Sequence, residues 1–185
     1  VVVEHRFLPI PAAAEGPAQL VVTVGDEVTA VTTLTISSTA RQFTQPPVDV
    51  VVNEVVGDSA VLIGYSLPQS EFAAADPLPV TLVWQAGEVP FGSSYTVFVH
   101  LLDEAGNLIG QHDGLPVNGS RPTNSWLPGE YLVDVHEVRL HDTSFSGRAN
   151  LVVGLYDPVS GTRLVAQNGR DFIPLDSEIV ITANE

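Results

Sequence analysis

Alternation of apolar and polar residues at every second position constrains this chain more than any other feature. Val80, Leu82 and Trp84 follow it, as do Tyr95, Val97, Val99 and Leu101. That period belongs to a strand whose two faces meet different surroundings. No window places apolar residues at the i, i+3, i+4, i+7 spacing of a helix. β-branched runs broken by Gly, Pro, Asn and Asp predict strands over residues 1–8, 19–24, 28–36, 48–56, 60–67, 80–85, 95–102, 108–112, 130–140, 149–156, 162–167 and 178–182. Gly25-Asp26 and Gly57-Asp58 read as two-residue hairpin turns with glycine first. Residues 68–79 and 114–129 read as loops. So many short strands without a helix predict an all-β chain, an immunoglobulin-like or jelly-roll β-sandwich.

The segment 95–102 is apolar on both faces, with Phe98 and Leu102 opposite the valines, and is expected to be a central strand. Two of the predicted hairpins echo each other. Leu101-Leu102-Asp103-Glu104-Ala105-Gly106 and Leu155-Tyr156-Asp157-Pro158-Val159-Ser160-Gly161 each end an apolar strand in an aspartate, with a glycine for the left-handed position. Pro46-Pro47 cannot donate to a ladder and marks a boundary. The expected organisation is a strand-and-hairpin segment over 1–46 and a sandwich domain over 47–185. The first segment either completes the sandwich or packs on a neighbouring chain, its strand at residues 1–10 adding to the neighbour's sheet edge and so permitting self-association.

Composition narrows function by exclusion. The 185 residues are 44% hydrophobic, so a packed core is expected rather than disorder. Net charge is -15, which repels nucleic acid and anionic membrane surfaces and leaves cations, neutral sugars and other glycans, and proteins as partners. No apolar run is long enough to predict membrane insertion of this segment. There is no cysteine, which removes disulfides, thiolate catalysis and thiolate zinc sites. Methionine and lysine are absent too, all seven basic residues being arginine, and the composition leans towards an extracellular or cell-surface protein. With valine at position 1, a processed product or part of a longer protein is expected.

Trp126 is the most informative loop side chain. One reading makes it a platform for a sugar ring, with Arg121, Asn124 and Asp134 orienting the hydroxyls. The other folds it back over the open end of the sandwich as a plug. Asp134 and His136 share a strand face, with His141-Asp142 shortly after, so Asp134, His136 and His141 are candidate metal ligands. Their spacing is not that of a metal motif, exposed polar alternation accounts for it, and no cofactor is expected. Asp103, Asp113 and Asp157 lack the alternate carboxylates of a calcium loop. Glu130 and Asp134 would be the carboxylate pair of a hydrolase, but a chain with 22 acidic residues supplies such pairs by chance. No nucleophile elbow, P-loop or dinucleotide fingerprint occurs, so the chain is expected not to be an enzyme. Asn118-Gly119-Ser120 is a formal glycosylation sequon.

The segments TVFVHLLDEAGNLIGQHDG, RPTNSWLPGEYLVDVHEVRL and LVVGLYDPVSGTRL resemble a β-sandwich module. That module occurs at the C-terminal, external end of bacterial membrane proteins of the glycosyltransferase-39-like class and in other cell-envelope proteins. The resemblance covers about residues 48–182 and implies a place outside the membrane and an accessory, non-catalytic role. It carries over no transferase chemistry, which belongs to a membrane portion these residues do not match. Together these readings predict a structural or assembly module, a filament or surface-layer subunit. The alternative is a carbohydrate-binding accessory module.

Overall fold

The structure is a computed structural model and describes residues 16–24, 27–36 and 40–183. The strand expected at 1–8 and the turn at Gly25-Asp26 lie outside these residues, so strand donation by residues 1–10 does too. The described residues are all-β, with no α-helix and one 3-10 turn at Thr123–Ser125. Twelve strands follow in chain order: β1 (Gly16–Val24), β2 (Glu27–Ile36), β3 (Val50–Val56), β4 (Ala60–Ser66), β5 (Glu71–Ala73), β6 (Leu78–Ala86), β7 (Thr96–Asp103), β8 (Leu108–Gly114), β9 (Tyr131–Leu140), β10 (Gly147–Tyr156), β11 (Ile173–Pro174) and β12 (Ile179–Thr182).

The chain divides into two compact units between Arg41 and Gln42. The boundary falls ahead of Pro46-Pro47 because the Gln42 carbonyl already accepts the Tyr131 N–H of β9, at 2.8 Å. In the first unit β1 and β2 form a two-stranded antiparallel hairpin with a bulge at Val22/Thr23. In the second, strands run in the order β3-β4-β6-β9-β8-β7-β10-β12-β5, with β11 also on β10. Every pairing is antiparallel except β12 with β5. This sheet curls into a sandwich-like body. Leu62, Trp84, Leu132 and Val138 on one half share a core with Val99, Leu101, Leu151 and Leu155 on the other.

The register of β6 turns Val80, Leu82 and Trp84 inward, and all three are fully buried. β7 is central, between β8 and β10. Its outer-face Phe98 is buried beneath the Arg163 guanidinium, 4.2 Å above the ring. Gly154 faces that ring; a Cβ there would lie 2.6 Å from Phe98 Cζ, so the neighbouring strand needs glycine. The two echoing hairpins share one device. Asp103 accepts the N–H groups of Ala105 and Asn107, and Asp157 accepts that of Val159. Gly106 and Gly161 sit at φ 82° and 72°. Hydrogen bonds from the Asn107 side chain and backbone hold the Asp103 carboxyl below its ordinary range.

Three expectations need correction. Residues 162–167 form only isolated bridges, because 163 pairs with β10 while 166 pairs with β3, and no continuous ladder develops. Gly57-Asp58 is part of a three-residue loop, since Val56 pairs with Ala60; Gly57 does hold the positive φ, 55°. The loop at 68–79 contains β5 and the first residues of β6.

Candidate functional site

Strand β9 reverses the expected alternation. Leu132, Asp134, His136 and Val138 point into the protein, while Val133 and Val135 are 40% and 46% exposed. Exposed polar alternation therefore does not explain Asp134 and His136, each only 1% exposed. Leu132 and Val138 fix the inward face by their own burial, and the polar pair between them is carried in with it. A buried charge demands partners, and Asp134 has them on both oxygens. Its Oδ1 accepts the Val117 N–H at 2.8 Å, and its Oδ2 lies 2.9 Å from His136 Nε2. His136 Nδ1 in turn lies 2.8 Å from His112 Nδ1 on β8.

The three groups form one hydrogen-bonded chain. An ionised carboxylate only accepts, so His136 carries its proton on Nε2. One of the two facing Nδ1 atoms donates and the other accepts; with His136 uncharged the donor is His112, which then keeps its lone pair on Nε2. Burial, and after it the neighbouring His136, hold the His112 pKa below the ordinary histidine value. His112 is therefore neutral at pH 7. Its Nε2 has no hydrogen-bond partner among the described residues and is not sealed from solvent.

Asp134 also anchors a strained loop. Val117, Asn118 and Gly119 lie in succession at φ 54°, 51° and 79°. A β-branched residue in that region costs on the order of 1–3 kcal/mol and persists only where its surroundings impose it. The carboxylate on the Val117 N–H is one such constraint. β8 and β9 pair at Gly110↔Leu140 and Gln111↔Arg139 and nowhere further along. Gly110 permits that approach, for a Cβ there would lie 2.8 Å from the Arg139 carbonyl. Beyond it a groove of about 300 Å³ opens, lined by Gln111, His112, Asn118, Val135, Glu137 and Arg139. A second hollow of about 290 Å³ shares His112, Asn118 and Val135 with it and reaches Asp134 and His136.

The tryptophan loop is a separate, packed feature. Trp126 is 5% exposed, meets Phe91 edge-on at 5.5 Å, and donates its indole N–H to the Arg121 carbonyl at 2.9 Å. Its ring is part of the core cluster, so as it stands it offers no open face to a sugar. Arg121 Nε lies 3.5 Å from Glu130 Oε1, and Glu130 Oε2 accepts the Leu127 N–H. Asn124 is exposed on the 3-10 turn beside this cluster. Asp134 binds Val117 and His136 instead, so the four candidate ligand residues do not converge on one site. The Glu130–Asp134 pairing fails for the same reason, both carboxylates being buried and engaged elsewhere. Of the metal candidates, Asp134 and His136 touch, whereas His141 is exposed past the end of β9. No group of three or more His, Cys, Asp or Glu side chains among the described residues is arranged to hold a metal.

His112 and Val117 were not singled out by sequence reasoning. The one available signal was Gly110-x-His112-x-Gly114, which leaves space on both sides of one inward histidine. In comparisons with known proteins, the chain matches no family model and no curated protein.

Proposed function

We propose that the chain is a non-catalytic assembly module of an extracytoplasmic surface structure, whose copies join through the β1–β2 hairpin. The hairpin as a unit of its own, apolar on both faces, carries the reading. Its register puts Ala18, Leu20, Val22, Ala30, Leu34 and Ile36 on one side. Val21 and Val31 pair across the strands on the other side. A two-stranded hairpin is marginal in water by itself, so this one has a partner to gain from. The partner is a second copy. Between Gly16 and Ile36 the only charged residues are Asp26 and Glu27, so two chains of net charge -15 meet there with least repulsion. Two such faces stacked about a two-fold axis make a small two-layer sandwich. The extracytoplasmic placement is supported by the absence of Cys, Met and Lys and by the resemblance of residues 48–182 to an external module.

Sedimentation velocity tests this. The whole chain is expected to associate with rising concentration, and Leu34→Lys to remain monomeric with an unchanged melting temperature. A wild-type chain that stays monomeric at high micromolar concentration, or a variant that associates equally well, contradicts the reading.

A further inference from the structure

The buried Asp134–His136 couple lies on β9, outside the hairpin proposed for assembly, and its position calls for a separate account. Two polar side chains are held in a core where apolar ones would cost less. One of them restrains a loop that contains two non-glycine residues at positive φ. The chain of hydrogen bonds they begin ends on His112, whose Nε2 has no partner among the described residues. Around His112 the groove presents the amides of Gln111 and Asn118, which both donate and accept, together with the Glu137 carboxylate and the Arg139 guanidinium. Glu137 and Arg139 lie 3.5 Å apart and offset each other's charge. Val135 supplies the apolar part of the lining.

We propose that this groove is a binding site for a small neutral polyhydroxylated ligand, a monosaccharide or a polyol of that size. One ligand hydroxyl hydrogen-bonds with His112 Nε2, and others exchange hydrogen bonds with Gln111, Asn118, Glu137 and Arg139. Each feature of the lining narrows the class. The offset pair and the net charge of -15 disfavour anions. The scarcity of apolar lining disfavours hydrophobic ligands. A volume near 300 Å³ stands at the small end of ligand sites and limits the size. Asp134 and His136 are positioning residues: they hold the His112 ring by its Nδ1, and Asp134 holds the loop that brings Asn118 to the rim.

The test is nitrogen-15 NMR on the whole labelled chain, titrated with D-glucose, D-galactose and N-acetyl-D-glucosamine to tens of millimolar, where weak sugar sites saturate. At least one sugar is expected to shift His112 Nε2 and the Asn118 amide together, leaving the hairpin amides unmoved. Asn118→Gly keeps the positive φ while removing the side chain, and is expected to weaken that sugar about tenfold with the fold intact. His112→Gln is expected to weaken it at least as much. The proposal is overturned if none of the three sugars moves these signals, or if the variants respond as the wild type does. It stands or falls independently of self-association, which the hairpin amides report.

Discussion

Asp134→Ala is expected to lower the stability of the protein by about 2–4 kcal/mol, because two donors lose their acceptor at about 1–3 kcal/mol each. Three losses combine. His136 Nε2 loses its acceptor, the Val117 N–H loses its carboxylate, and the left-handed Val117 loses a constraint that offsets its strain. Urea unfolding measures the change, and a loss under about 1 kcal/mol would contradict the placement of Asp134 in the core. Asp134→Asn separates proton order from packing. The amide carbonyl can still accept from Val117, but the amide NH₂ then donates to His136 Nε2. With both rings uncharged, His136 must carry its proton on Nδ1 and His112 its own on Nε2. Side-chain nitrogen spectra are expected to show the two His112 nitrogens exchanging character, with a smaller stability loss than in Asp134→Ala. An unchanged His112 tautomer would contradict the ordering.

Trp126→Ala is expected to cost about 3–5 kcal/mol, as truncation of a large core aromatic does. The indole fills the end of the core beside Phe91, and its N–H satisfies the Arg121 carbonyl. Truncation leaves a cavity, an unpaired carbonyl and a loosened Arg121–Glu130 pair. A surface sugar platform would give the opposite result, lost binding with stability nearly unchanged. Equilibrium unfolding of this variant decides between them, and a loss under about 1 kcal/mol would argue against the plug.

Much of the fold could be read from the sequence wherever one face of a strand is consistently apolar. Trp84 points inward because Val80 and Leu82 share its face, and the turns at Asp103 and Asp157 rest on hydrogen bonds within a few residues. What failed depended on partners far along the chain. Residues 162–167 have strand-like composition yet divide their bonds between two different strands, which no local pattern reveals. β5 exists because β12, more than a hundred residues later, lies beside it. β9 misled for a different reason: with valines on one face and Asp134 and His136 on the other, alternation alone assigns the valines inward. Only the burial of Leu132 and Val138, and a histidine on β8, turn the face round. The groove follows from that same pairing, so Asp134 and His136 could be named as candidates while His112 could not.

Association through the hairpin is the central claim, and hydrogen exchange of the Gly16–Ile36 amides at two protein concentrations tests it most directly. At high dilution the ladder amides of β1 and β2 are expected to exchange nearly as fast as in an unstructured peptide, since a lone hairpin opens readily. At assembling concentration they are expected to become strongly protected, and Leu34→Lys is expected to abolish that protection while the amides of β6, β7 and β10 stay slow throughout. Equal protection of the hairpin at both concentrations would mean that it is stabilised within its own chain, and would contradict the account.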